Sequence, residues 1–129
     1  MKLDYLTPML WTNDIKASID FYQNFLGFEL DNYNEGWGWC HMHKDKVCVM
    51  FTTNEHAPNR ESLKFTGSFY IYTKDVDELW NELKTKATVC YEPANFAHNM
   101  REFGIYDNNG YLLQFGRELE EGETIDDCD

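Results

Sequence analysis

Residues 7–28 read TPMLWTNDIKASIDFYQNFLGF, and residues 68–87 read SFYIYTKDVDELWNELKTKA. At an offset of 61 residues, Thr12-Asn13-Asp14-Ile15 falls on Thr73-Lys74-Asp75-Val76, Ile15 on Val76, Ile19 on Trp80 and Tyr22 on Leu83. The chain therefore carries two copies of one supersecondary unit. Thr7–Trp11 and Ser68–Tyr72 hold large, aromatic and hydroxyl residues that suit strands. Asp14 and Asp75 stand where a carboxylate accepts the orphan amides of a helix start. Glu78, three residues after Asp75, completes a capping-box spacing. Ile15, Ile19, Tyr22 and Leu26 recur at helical intervals, as do Val76, Leu79, Trp80 and Leu83. Gly27 supplies the left-handed residue that ends the first helix, with Phe28 placed for the apolar contact that accompanies it.

Outward from these units the pattern continues in strands. Phe28–Tyr33 is a strand ended by Asn34-Glu35-Gly36. Trp37–His43 and Val47–Thr52 form a hairpin about Lys44-Asp45. In the second unit Thr88–Glu92 is a strand and Pro93–Asn99 an irregular loop carrying His98. Arg101–Tyr106 and Tyr111–Gly116 form a hairpin about Asp107-Asn108-Asn109-Gly110. The expected fold is α+β, two tandem β-α-β-β-β modules forming curved sheets around a crevice. Module one spans 1–53, a polar linker with Pro58 spans 54–65, and module two spans 66–117 of a single domain 1–117. The remainder, 118–129, is an acidic tail expected to be solvated and frayed.

Composition narrows the function classes. In 129 residues, 43% hydrophobic and 16% aromatic content supports a sizeable core. A net charge of −12 opposes a nucleic-acid surface, which needs clustered Lys and Arg. No apolar run is long enough to span a bilayer and no basic-then-apolar leader opens the sequence, so a cytoplasmic protein without membrane attachment is expected. Cys40, Cys48, Cys90 and Cys128 show no paired spacing and are expected as reduced thiols.

The segments Asp14-Ile15, Ser18-Ile19, Phe21-Tyr22 and Leu26-Gly27-Phe28, with the ending Asp107, Gly110-Tyr111 and Gln114-Phe115-Gly116, resemble the vicinal oxygen chelate superfamily. That superfamily includes glyoxalase I, extradiol dioxygenases, and fosfomycin- and bleomycin-resistance proteins. Its enzymes hold a divalent metal with four strand residues, and the corresponding positions here are Thr7, Met50, Ser68 and Gln114. Two hydroxyls, a thioether and a neutral amide lack the charge and basicity of such a site. The resemblance therefore implies the metal-free, bleomycin-resistance-like branch: a homodimer that sequesters a small, partly aromatic and in some cases cationic molecule, with no catalytic residue, metal or cofactor. The alternative is a metal-dependent lyase or oxygenase with a displaced metal near His41 and Cys48, aided by Glu102 or His98.

Alternation along strands assigns the lining. Met9 and Trp11 share a face with Thr7, and Tyr70 and Tyr72 share one with Ser68. The Lys44-Asp45 turn sets Met50 opposite Trp39 and Cys48 opposite His41. Across the last hairpin, Gln114 is expected to share its face with Leu112, Arg101, Phe103 and Ile105. The candidate ligand-binding residues are Trp11, Trp39, His41, Met50, Tyr70, Tyr72, Arg101, Phe103 and Gln114. Their aromatic character suits stacking on a flat ring or holding a cation.

Overall fold

The computed structural model describes residues 1–53, 65 and 67–126. The chain divides into two units, Met1–Lys64 and Phe65–Asp129. Unit one contains β1 (Met9–Thr12), α1 (Ile15–Asn24), β2 (Glu29–Asn34), β3 (Trp39–Lys44) and β4 (Val47–Thr53). Unit two repeats the order with β5 (Phe69–Tyr72), α2 (Val76–Leu83), β6 (Thr88–Phe96), β7 (Met100–Tyr106) and β8 (Leu112–Glu118). Each unit forms one four-stranded sheet, in the order β1-β4-β3-β2 and β5-β8-β7-β6. The first strand runs parallel to the last in both. The α+β architecture of two β-α-β-β-β modules is thus the observed one. The expected linker falls almost wholly outside the described residues, as does Cys128.

The repeated Thr-x-Asp junction is one hydrogen bond made twice. The amide of Asp14 donates to Thr12 Oγ1 and that of Asp75 to Thr73 Oγ1, each at 3.2 Å. From there the copies diverge. Asp14 has an extended backbone (φ −142°, ψ 97°), which turns its carboxylate over the first turn to accept from the Ala17 amide at 3.0 Å. Asp75 (φ −97°, ψ 41°) makes no such side-chain bond, so the expected capping box does not form. Only the negative charges of Asp77 and Glu78 in the first turn of α2 complement its dipole. Gly27 ends α1 at φ +74°, where its amide and that of Phe28 donate to the carbonyls of Gln23 and Tyr22. The Phe28 and Tyr22 rings then meet edge to face at 5.3 Å.

Alternate residues of each strand bury against the helix. In unit one these are Leu10, Thr12, Cys40, Met42, Val49 and Phe51, with Tyr22 of α1 set 4.9 Å from the Phe51 ring. In unit two Phe103, Ile105, Leu113 and Phe115 pack beneath α2, and Trp80 lies 5.4 Å from Phe103. Full burial of each Leu, Ile, Val, Met or Phe among them contributes about 1.5–3 kcal/mol.

Four local expectations are corrected. The first hairpin turns at Asp45-Lys46, because Asp45 occupies the left-handed region (φ +51°) that aspartate tolerates. Lys44 therefore pairs with Val47, His43 with Cys48, His41 with Met50 and Trp39 with Thr52. The turn moves by one residue, so partners move by two and the faces are conserved. In the last hairpin the shift is by one partner, with the opposite consequence. The Asp107 carboxylate accepts from the Asn109 and Tyr111 amides at 2.8 and 2.9 Å, which makes Tyr111 part of the loop. Gln114 then pairs with Gly104 and Gly116 with Glu102, while Phe103 faces Phe115. A one-residue slip exchanges the faces.

The third correction is that β6 continues through Pro93 to Phe96. It is an edge strand with register shifts about Tyr91 and Ala94, where a missing amide is tolerated. Only Ala97-His98-Asn99 turn, with Asn99 at φ +68°. Finally, the tail is docked as far as Asp126. Arg117 forms a two-pronged pair with Glu123 at 2.7 and 2.9 Å, and Asp126 exchanges two bonds with the backbone of Asn95.

Candidate functional site

The sheet face opposite the helix is the candidate surface in each unit. In unit one it carries Met9 and Trp11 of β1, Cys48, Met50 and Thr52 of β4, and Trp39, His41 and His43 of β3. Trp11, Trp39, His41 and Met50 therefore share the face assigned to them. A bulge between Leu30 and Asn32 leaves Asp31 out of the ladder and turns its carboxylate toward this face. Asp31 Oδ2 meets His41 Nδ1 at 2.9 Å and Oδ1 meets His43 Nδ1 at 2.6 Å. Partial desolvation works to raise the Asp31 pKa, but the hydrogen bonds from both histidines outweigh it and hold the carboxyl below its ordinary value. Cys48 lies opposite His43, not His41.

In unit two the corresponding face carries two cross-strand rows. One runs Tyr70, Gln114, Gly104, Tyr91, and the other Tyr72, Gly116, Glu102, Ala94. The two glycines decide the chemistry. A Cβ on Gly116 would stand 2.0 Å from the Tyr70 hydroxyl, and one on Gly104 would stand 2.5 Å from Tyr91 Cε1. Without side chains there, both phenol rings lie down across the sheet and converge on Glu102 from opposite sides.

Glu102 is 4% exposed. Tyr70 donates to its Oε1 at 3.0 Å and Tyr91 donates to its Oε2. Gln114 Nε2 reaches Tyr91 Oη at 2.9 Å and Glu102 Oε2 at 3.4 Å. His98 Nε2 lies 2.6 Å from Glu102 Oε1. Burial pushes the Glu102 pKa up, but the bonds from Tyr91, His98 and Tyr70 more than offset it, so the carboxyl stays below its ordinary range and ionised. Burial, then the hydrogen bond to Glu102 and after it the proximity of that charge, raises the pKa of both Tyr70 and Tyr91, which keeps their protons in place.

Tyr70, Tyr72 and Gln114 thus share the expected face; Tyr72 is 75% exposed. Phe103 and Arg101 do not. Phe103 is fully buried in the core, and Arg101 binds Asp77 of α2 at 2.7 Å and Asn95 at 2.9 Å. Glu102, Tyr91 and His98 take their place. The signal for this exchange was present in Arg101–Tyr106, where Phe103 and Ile105 alternate with Glu102 and Gly104, and a strand glycine marks a close approach.

At Thr7, Met50, Ser68 and Gln114, the four positions that the resemblance assigns to a metal, the donors do not fit one. Ser68 Oγ donates to Gln114 Oε1, so those two positions bind each other. Thr7 precedes β1, and Met50 offers a thioether beside Met9. No carboxylate, imidazole or thiolate is among them. Among the described residues, no three His, Cys, Asp or Glu side chains are grouped to hold a metal ion. Among those residues, too, no helix is long and apolar enough to cross a membrane.

Residues 2–115 match the family described as the Glyoxalase/Bleomycin resistance protein/Dioxygenase superfamily. No curated protein matches the chain. Among solved structures, a glyoxalase/bleomycin resistance protein/dioxygenase from Nocardioides is 17% identical with a TM-score of 0.71, covering 99% of this chain and 92% of that one. TioX from Micromonospora sp. ML1 is 16% identical with a TM-score of 0.72, over 90% of this chain and 99% of that one. A lactoylglutathione lyase from Agrobacterium tumefaciens is 15% identical with a TM-score of 0.69, over 88% of this chain and 92% of that one. At these identities the likeness is one of fold.

Proposed function

The chain belongs to the glyoxalase/bleomycin resistance/dioxygenase superfamily, and from that premise we propose that it binds a small, partly aromatic molecule without converting it. One observation carries this reading: the helix-free face of unit two sets Tyr70, Tyr72 and Tyr91 about a buried, ionised carboxylate. Rings held in fixed orientations offer stacking area at low entropic cost. Trp11, Trp39 and Met50 give the corresponding face of unit one a similar apolar character. The chemistry of Thr7, Met50, Ser68 and Gln114 supports binding over metal-assisted turnover. A homodimeric, cytoplasmic protein whose action needs no metal or cofactor completes the proposal, with sequestration of a toxic compound as one role it would serve.

Titration of the chelator-treated protein with a panel of aromatic amines, acids and alcohols, followed by tryptophan fluorescence, tests it. Saturable quenching is expected, with the bound compound recovered unchanged by mass spectrometry and affinity reduced by Tyr70→Ala for a compound held on unit two or by Trp39→Ala for one held on unit one. Recovery of a converted product, or binding only after a divalent metal is restored, would overturn it in favour of a lyase or oxygenase. In that outcome His41 and Cys48 lose their pairing argument, since the ladder sets Met50 opposite His41.

A further inference from the structure

We propose that His98 and Glu102 form a proton-accepting dyad that binds the protonated nitrogen of an aromatic amine or amidine. The inference rests on the binding reading above and names the group that the face of unit two recognises. His98 sits in the turn between β6 and β7, with its side chain 59% exposed, while the Glu102 side chain bonded to it is 5% exposed. An exposed imidazole held at 2.6 Å by a buried, ionised carboxylate has its tautomer fixed, because the carboxylate accepts and Nε2 must donate. Nδ1 is then left as an acceptor. The Phe96 ring, 5.7 Å away and within 17° of parallel, orients the imidazole plane. Tyr91 in turn stands edge-on to Phe96 at 5.7 Å.

The sign of the ligand follows from the inventory of protons. Tyr70 and Tyr91 both direct their hydroxyl hydrogens to Glu102, and Gln114 directs an amide hydrogen to the same group. These donors are engaged within the site, which presents phenol oxygens, ring faces and the imidazole nitrogen to a ligand. The arginine next in sequence, Arg101, is bound to Asp77 on the helix side of the sheet and neutralises nothing here. The Glu102 carboxylate supplies a negative charge, so an N–H cation that donates to Nδ1 gains a hydrogen bond, a countercharge and cation–π contacts together. An anion is opposed by the Glu102 charge. No covalent bond changes in this step. The ligand keeps its proton and donates it in a hydrogen bond to Nδ1, while Glu102 supplies the countercharge.

The test uses the full chain labelled with nitrogen-15 and benzylammonium as the probe, with benzoate and benzyl alcohol as controls. Long-range proton–nitrogen spectra of His98 are expected to show Nε2 protonated and Nδ1 bare. Benzylammonium should shift the Nδ1 and Tyr70 signals saturably, and benzoate should not. His98→Phe keeps the stack on Phe96 at an exposed position and removes both the Nδ1 acceptor and the Nε2 bond to Glu102, so it is scored on protein whose amide spectrum remains that of the folded chain. It should weaken benzylammonium binding at least tenfold, as should Glu102→Gln if its amide spectrum remains that of the folded chain. The opposite tautomer, an equal response to benzoate, or unchanged affinity in His98→Phe would overturn the dyad. If benzyl alcohol and benzylammonium then bind equally well at Tyr72 and the tryptophans, the broader binding reading survives. If no probe of any charge perturbs an aromatic signal, both readings fall.

Discussion

Asp31 in unit one and Glu102 in unit two each hold a carboxylate against histidine on the helix-free face of a sheet, yet they occupy different physical regimes. Asp31 reaches its face through a bulge, bonds two imidazoles, and stays one-third exposed (34%). Glu102 lies in the middle of β7, whose ladder with β8 is unbroken, is 4% exposed, and is enclosed because Gly104 and Gly116 let two tyrosines fold over it. Water can solvate the first carboxylate if its partners leave. The second has only the protein to satisfy it, so each of its bonds is obligatory. The same pair of groups is therefore a solvated surface cluster in one module and an interior polar network in the other.

The sharpest way to break this comparison is to remove each carboxylate. Glu102→Ala strands the donors of Tyr70, Tyr91, His98 and Gln114 and should cost about 3 kcal/mol by urea denaturation. Asp31→Ala should leave the urea midpoint within error of the parent chain. Equal losses would show that enclosure does not separate the two sites. Acid sharpens the contrast. The Glu102 pKa lies below its ordinary 4.5, so its stabilisation is complete above that pH and is lost as the pH falls through the lower folded-state value. Glu102→Gln should flatten the acid limb of the stability curve below about pH 4.5. An acid limb as steep as the parent's would remove Glu102 as its cause.

Next in size are the glycines. Gly116→Ala and Gly104→Ala should each cost about 1–3 kcal/mol, because Tyr70 or Tyr91 must swing off the sheet. Combining Gly116→Ala with Tyr70→Phe, which removes the hydroxyl that the new Cβ would strike, should recover part of that cost. Recovery to no degree would mean that the ring, whose Cζ would still stand 2.7 Å from the new Cβ, and not the hydroxyl, sets the penalty. A smaller difference separates the helix starts. Asp14→Ala loses the bond to the Ala17 amide and should cost about 1 kcal/mol. Asp75→Ala removes no side-chain cap and should move the thermal midpoint by less than Asp14→Ala. The smallest change is expected from Asp31→Asn, visible only as altered His41 and His43 ring signals in nuclear magnetic resonance.

How much of this was legible in the sequence depends on the range over which each residue acts. The Thr-x-Asp junctions, the glycine stop at Gly27 and the apolar intervals of both helices are local facts, and they sufficed for two α+β modules and their family. Trp11, Trp39, His41, Met50, Tyr70, Tyr72 and Gln114 lie on the expected face, because a strand's alternation conserves parity even when a turn moves and its partners shift by two. Three things were decided only by tertiary structure. The Asp107 loop fixed a register that exchanged Phe103 and Arg101 for Glu102. The edge position of β6 let a proline-bearing strand continue, which brought His98 to the turn beside Glu102. The acidic tail found Arg117 and Asn95 to bind. Sequence periodicity determines what each segment forms, since helix and strand arise from neighbours along the chain. Which face a carboxylate enters, and whether water can reach it there, is set by hydrogen bonds across strands that periodicity does not encode.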